Sequence, residues 1–118
     1  MKIQCVSIKR VYAEPESSDG TRILVDRLWP RGLTKEKAKV DVWLKEIAPS
    51  TGLRKWFAHD PAKWPEFHSR YRDELQSLSE PLALLKQMAA EGHITLLFGA
   101  RDEEHNEAVI LKKLVEHG

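Results

Sequence analysis

Four arginines of this chain, Arg27, Arg31, Arg54 and Arg101, lie just beyond segments that read as strands or the turns after them. A guanidinium is a rigid fork of N–H donors that fits a phosphate or carboxylate through two parallel hydrogen bonds. Asp26, Asp102 and Asn106 accompany them, and His59 precedes Asp60 in the string Trp56-Phe57-Ala58-His59-Asp60-Pro61. Asp26, His59 and Asp102 are therefore the candidates for acid–base chemistry. Arg27, Trp29, Arg31, Ser50, Arg54, Arg101 and Asn106 are the candidates for binding a ligand. Ser50 stands at a predicted helix start, with a hydroxyl at Thr51, Arg54 one turn on and no acid in that turn, which makes it the better anion cradle. Each reading has a structural alternative. The arginines and aspartates would form a network tying loops to a sheet, Ser50 would be a plain helix cap, and Asp60 would cap the helix that Pro61 begins.

Those residues share an edge only if the elements before them are neighbouring strands. Ile3 to Ile8 reads as a strand, and Ile23-Leu24-Val25 is a continuous apolar run ending at Asp26. Val40, Val42 and Leu44 alternate with Asp41 and Trp43, and Ile94 to Phe98 is a second continuous apolar run. Continuous runs suit strands covered on both faces. Thr34 caps a short helical turn, and Ser50 starts a helix to about Ala58. Trp64, Phe67, Tyr71, Leu75 and Leu78 mark one face of a long helix. A further helix follows Ser79-Glu80-Pro81 and stops at Gly92, and the last begins near Glu103, placing Asn106 one turn inside it. The fold class is α/β: one domain over residues 1–118, with a central parallel or mixed sheet of about four strands and helices on both faces. The mixed option arises because the connection between the first two strands is short for a helical crossover. In such sheets ligands bind beyond the carboxyl ends of the strands, where the loops after Val25, after the third strand and after Phe98 would meet.

Composition bounds the function classes. The chain has 118 residues, 42% hydrophobic and 31% charged, which is ordinary for a globular domain and too apolar for a disordered one. No run is long enough to cross a membrane, and the amino-terminal residues lack the apolar core of a signal peptide. Cys5 is the only cysteine, which leaves no internal disulfide; it is expected to be buried and inert. A cytoplasmic location is the expectation. The net charge of +1 conceals a division. Residues 1–72 hold 15 Lys and Arg against 9 Asp and Glu, whereas residues 73–118 hold 4 against 9. All four tryptophans, Trp29, Trp43, Trp56 and Trp64, lie in the basic part. Basic residues interleaved with aromatics serve nucleic acid, although a pI near 7.9 is low for a dedicated binder.

Several classes lack their motifs. His68, His93, His105 and His117 show no ligand spacing, so no metal is expected. No P-loop, GxGxxG or GxSxG is present, and no cofactor is expected.

The strings Arg22-Ile-Leu-Val-Asp-Arg-Leu-Trp-Pro-Arg-Gly32, Trp43-Leu-Lys-Glu-Ile-Ala-Pro-Ser50, Leu53-Arg-Lys-Trp-Phe-Ala-His-Asp-Pro61 and Thr95-Leu-Leu-Phe-Gly-Ala-Arg-Asp102, with Asn106, carry a family resemblance. The chain resembles the YeaO-like branch of a large bacterial family of unknown function, from about Ile3 to Leu114. The resemblance implies a small cytoplasmic α/β protein and no named reaction. Broader relatives often carry a Cys-His-Arg triplet early in the last helix. The comparable stretch here is His105-Asn106-Glu107, so thiol chemistry does not carry over. The reading is a small protein that binds a phosphate- or carboxylate-bearing molecule at the carboxyl edge of the sheet. The alternatives are a nucleic-acid binder using the basic, Trp-rich part and a non-catalytic partner-binding module.

Overall fold

The structure is a computed structural model that describes residues 6–117. Met1 to Cys5 lie outside the described residues, and with them the expectation for Cys5 and the start of the first predicted strand. Four strands, β1 (Val6–Arg10), β2 (Thr21–Leu24), β3 (Val42–Trp43) and β4 (Ile94–Phe98), form one sheet in the order β1-β4-β2-β3. Every pairing is parallel, with Ile8 opposite Leu96 and Ile23 opposite Leu96 on its other side. The short first connection does not require an antiparallel pair, because β1 and β2 are not neighbours. β4 lies between them, and the ten residues from Val11 to Gly20, with a 3-10 turn at Ser17–Asp19, pass across it.

The pleat explains the two continuous apolar runs. Ile23 and Val25, with Ile94, Leu96 and Phe98, face the main core. Leu24 and Leu97 face the opposite side, where Val11 and Ala38 join them and Trp29, Leu33 and Val40 pack around. All five residues of β4 are buried, as a central strand of a parallel sheet requires. Helices lie on both faces but unequally. The main face is covered by α2 (Thr51–Phe57), α3 (Trp64–Gln76), α4 (Ser79–Glu91) and α5 (Glu107–His117). The other carries only α1 (Lys35–Ala38) and the loops around it.

The helix starts follow from capping chemistry. Thr34 Oγ1 accepts from the Lys37 amide at 3.1 Å and Ser50 Oγ from the Leu53 amide at 3.2 Å. Asp60 accepts from the Ala62 amide at 3.0 Å and opens a 3-10 turn, Pro61–Lys63, that leads into α3. Phe67, Tyr71 and Leu75 of the α3 stripe are buried, with Trp64 and Leu78 packed against the core from its ends. The last helix departs from its predicted start. It begins at Glu107 rather than near Glu103, because Asp102 first holds the Glu104 and His105 amides in a turn, at 2.9 and 3.1 Å. Asn106 Oδ1 then accepts from the Val109 amide at 3.2 Å. Asn106 is thus the cap of α5, not a residue one turn inside it. No helix among the described residues is long and apolar enough to cross a membrane.

The topology creates a crevice. From β2 the chain leaves for α1 on one face; from β4 it leaves for α5 on the other. β2 and β4 are adjacent, so their carboxyl ends open between two diverging connections, the place where parallel sheets bind ligands.

Candidate functional site

A cavity of about 210 Å³ occupies that crevice. Its floor comes from both strand ends. Asp26 follows β2, Gly99 follows β4, and Asp26 Oδ2 accepts from the Gly99 amide at 2.8 Å. Glycine suits position 99, since a Cβ there would lie 3.0 Å from that carboxylate oxygen. Glu107, in the first turn of α5, brings its carboxyl into hydrogen-bonding contact with that of Asp26. Burial, and then the facing Asp26, push the Glu107 carboxyl well above its ordinary value of 4.5. Arg54 acts weakly the other way. The Glu107 carboxyl therefore holds its proton to higher pH than a free glutamate does, with Asp26 as its hydrogen-bond partner.

The walls are apolar: Leu28, Pro49, Phe57, Phe67 and Ala100. Phe57 and Phe67 stack at 4.3 Å between ring centroids, and Trp64 continues the stack from Phe67. Beneath them Tyr71 is fully buried and donates its hydroxyl to the Ile47 carbonyl at 2.6 Å. Burial, then the nearby Glu107, Glu74 and Asp26, push that phenol well above its ordinary value of 10.0.

The rim carries the cations. Arg54, exposed on α2, makes no side-chain hydrogen bond or ion pair among the described residues. Arg27 is half-buried; its Nε and Nη2 donate to the Pro49 and Ala48 carbonyls at 3.3 and 3.1 Å. It clamps the loop after β2 to the segment entering α2 while still lining the cavity. His59 lies on the rim because α2 ends in two left-handed residues, Ala58 at φ 47° and His59 at φ 57°. His105 also lines the cavity, with Nδ1 2.8 Å from Asp102 Oδ2. That contact fixes the ring and leaves Nε2 as its unengaged nitrogen. The Glu104 amide, then the His105 side chain, hold the Asp102 carboxyl below its ordinary value of 3.8.

The fold brings Asp26, Arg27, Arg54, His59 and Asn106 around one cavity. Asn106 reaches it as a buried structural residue, its amide donating to the Asp102 carbonyl at 3.0 Å. Asp102 reaches it only through His105. Trp29, Arg31, Ser50 and Arg101 do not line it. Trp29 donates Nε1 to the Leu33 carbonyl at 2.7 Å. Arg31 is exposed on the loop beyond Pro30, with its carbonyl bonded to the Tyr12 hydroxyl at 3.0 Å. The expected anion cradle at Ser50 is occupied from within: Glu74 accepts from the Ser50 amide at 2.8 Å and from its hydroxyl at 2.5 Å. Neither Asp26 nor Asp102 pairs with an arginine; the buried Arg–Asp pair, Arg22 with Asp19, lies at the opposite edge of the sheet. Glu107 and His105 were not singled out as site residues by their types. The i,i+3 spacing of Asp102 and His105 was the one available signal. Glu107 enters the site because α5 starts one turn later than its acids suggested. Among the described residues no group of three or more His, Cys, Asp or Glu is placed to hold a metal ion.

Residues 5–118 match the family described as the inactive DUF488-N3 subclade. The chain belongs to that subclade. It is also 44% identical over 111 residues to the uncharacterized protein YeaO of Escherichia coli strain K12, covering 94% of each chain. An uncharacterized protein of Mycobacterium tuberculosis strain H37Rv is 38% identical over 110 residues, covering 93% of this chain and 92% of that one. No solved structure matches. This subclade member is thus a YeaO-like α/β protein, as its motif strings implied. In it, the stretch comparable to the Cys-His-Arg triplet of broader relatives, His105-Asn106-Glu107, contributes to the cavity lining.

Proposed function

We propose that this protein binds, without turning over, a small molecule bearing a phosphate or carboxylate, in the cavity beyond β2 and β4. The observation that carries this reading is Arg54, a cation with no partner among the described residues, on the rim of a cavity in which Glu107 and Asp26 meet carboxyl to carboxyl. Burial and the facing Asp26 disfavour the charged form of Glu107, which tips the balance of the cavity toward Arg27 and Arg54. Low-dielectric walls of Phe57, Phe67 and Leu28 strengthen the field of that excess charge. The subclade's description as inactive, and the absence of cysteine from residues 105–107, support binding over catalysis.

The nucleic-acid alternative has less support. The tryptophans are engaged within the fold: Trp64 in the aromatic stack, Trp43 edge-on to Trp29 and through Nε1 to the Asp26 carbonyl at 2.8 Å, and Trp56 between Lys63 and Arg70.

Phenyl phosphate tests the reading, since it joins a dianion to a ring that Phe57 and Phe67 can pack against. Titration calorimetry should show saturable binding to the wild type. Arg54→Ala should weaken it roughly 10- to 100-fold, the equivalent of one charge-assisted hydrogen bond. The melting temperature without ligand should stay unchanged, because Arg54 is exposed and unpaired. Affinity should also fall as pH rises through the Glu107 midpoint, where a second carboxylate appears beside Arg54. Equal affinity in wild type and Arg54→Ala would overturn the assignment.

A further inference from the structure

A groove of about 390 Å³ runs between α3 and α5 on the outer surface. Its residues follow from helical spacing. His68 and Arg72 are one turn apart on α3, and Ile110, Lys113, Leu114 and His117 form one stripe of α5. It shares no residue with the cavity beyond β2 and β4. Ile110 is fully buried and Leu114 half-buried, so the groove has an apolar floor. Its polar residues are all cationic or able to become so. Arg72, Lys113 and His117 are exposed, His68 is half-buried, and no carboxylate lines the groove.

Two carboxylates on the same helices are engaged by other cations. Glu66 is paired with Arg70, and Glu116 with Lys112 at 2.5 Å. Neither Arg72 nor Lys113 forms an ion pair among the described residues. The field reaches His68, whose imidazole is held below its ordinary value of 6.5 by burial, then by Lys113 and Arg72. Two unpaired cations above an aliphatic floor complement a molecule with one apolar end and one negative end. We propose that this groove is a second binding site, specific for a small aliphatic carboxylate, whose chain lies on Ile110 and Leu114 and whose head meets Arg72 and Lys113.

The charge complementarity sets the test. Ring-proton NMR of His68 and His117 in the full chain would be followed during titration with hexanoate, and separately with 1-hexanol as the neutral counterpart. Hexanoate should move the His68 signals saturably and raise its titration midpoint, since a bound carboxylate screens Lys113 and Arg72. The groups facing His68 are Arg72 on its own helix and Lys113 and His117 on α5, all cationic when charged, so any upward movement reports the added anion. The Arg72→Gln/Lys113→Gln double variant should lose at least tenfold in affinity. Arg54→Gln, in the other cavity, should bind hexanoate at this groove as the wild type does. Saturable shifts of equal affinity in the double variant would overturn the proposal. So would equal responses to 1-hexanol and hexanoate, or no saturable shift with hexanoate in the wild type. A melting curve of the double variant separates lost binding from lost folding. If it melts early, the single variant Lys113→Gln replaces it, with the same loss expected.

Discussion

Asp19→Ala should destabilise the protein by about 3–5 kcal/mol, the usual cost of breaking one side of a buried ion pair. Asp19 and Arg22 are both buried, at 6% and 4% exposure, at the edge of the sheet opposite the cavity. The Asp19 carboxylate accepts from Arg22 Nη1 at 2.6 Å, from Lys9 Nζ at 3.0 Å and from the Glu16 amide at 3.0 Å. Arg22 continues to the carbonyls of Ala38 and Lys39, at 2.7 and 3.0 Å, so it ties the first connection to the end of α1. Removing the carboxylate leaves a buried guanidinium, which cannot deprotonate, without its counter-charge. Urea denaturation would show the loss. Asp19→Ala/Arg22→Met should recover much of it, since replacing both charges avoids the stranded one. A single variant with the wild-type midpoint would contradict this account of the amino-terminal edge. Burial alone would raise the Asp19 carboxyl, but the Glu16 amide, Lys9 and Arg22 outweigh it and hold it below 3.8. The network's contribution is therefore present above that value and lost as acid protonates Asp19.

Glu107→Gln should act in the opposite direction and stabilise the protein as pH rises. The unfolded chain releases the Glu107 proton near 4.5, whereas the folded chain keeps it to well above that value. Between those two points the folded state binds more protons, so wild-type stability falls with rising pH by up to about 1.4 kcal/mol per unit. Glutamine retains a donor toward Asp26 and has no proton to lose. Its advantage over the wild type should be absent below about pH 4.5 and should grow across that window. Denaturation midpoints at each pH unit from 4 to 8 would check this. Parallel curves for the two proteins would show that the Glu107 carboxyl is not raised in the folded chain.

The sheet was legible because burial on both faces leaves an unmistakable pattern. Ile23-Leu24-Val25 and Ile94 to Phe98 have no polar alternation except Thr95, whose hydroxyl is satisfied by the Asp19 carbonyl at 2.7 Å. Caps at Thr34, Ser50 and Asp60 were legible because each is a local bond to an amide two or three residues on. Strand order was not. The placement of β4 beside β1 depends on pairings 88 residues apart in sequence, such as Val6 with Ile94, which no local pattern encodes. The site was legible to the extent that it depends on strand ends: Asp26, Arg27, Arg54 and His59 follow from the carboxyl-edge rule. The rest depends on competition for partners. Glu74 reaches Ser50 from α3 and fills the expected cradle. Asp102 takes His105 and two amides rather than an arginine, which delays α5 and turns Glu107 into the cavity. Such choices are settled by tertiary geometry, so residue type alone points to several outcomes.

If the cavity at the ends of β2 and β4 holds an anion through Arg54, the bound ligand must be felt at that position. Amide NMR shifts on adding phenyl phosphate test it most directly, because they report position as well as binding. Saturable shifts should centre on Arg54, Gly99, Ala100 and Glu107 and be lost in Arg54→Ala. Saturable shifts that avoid these residues, or that persist unchanged in Arg54→Ala, would contradict it.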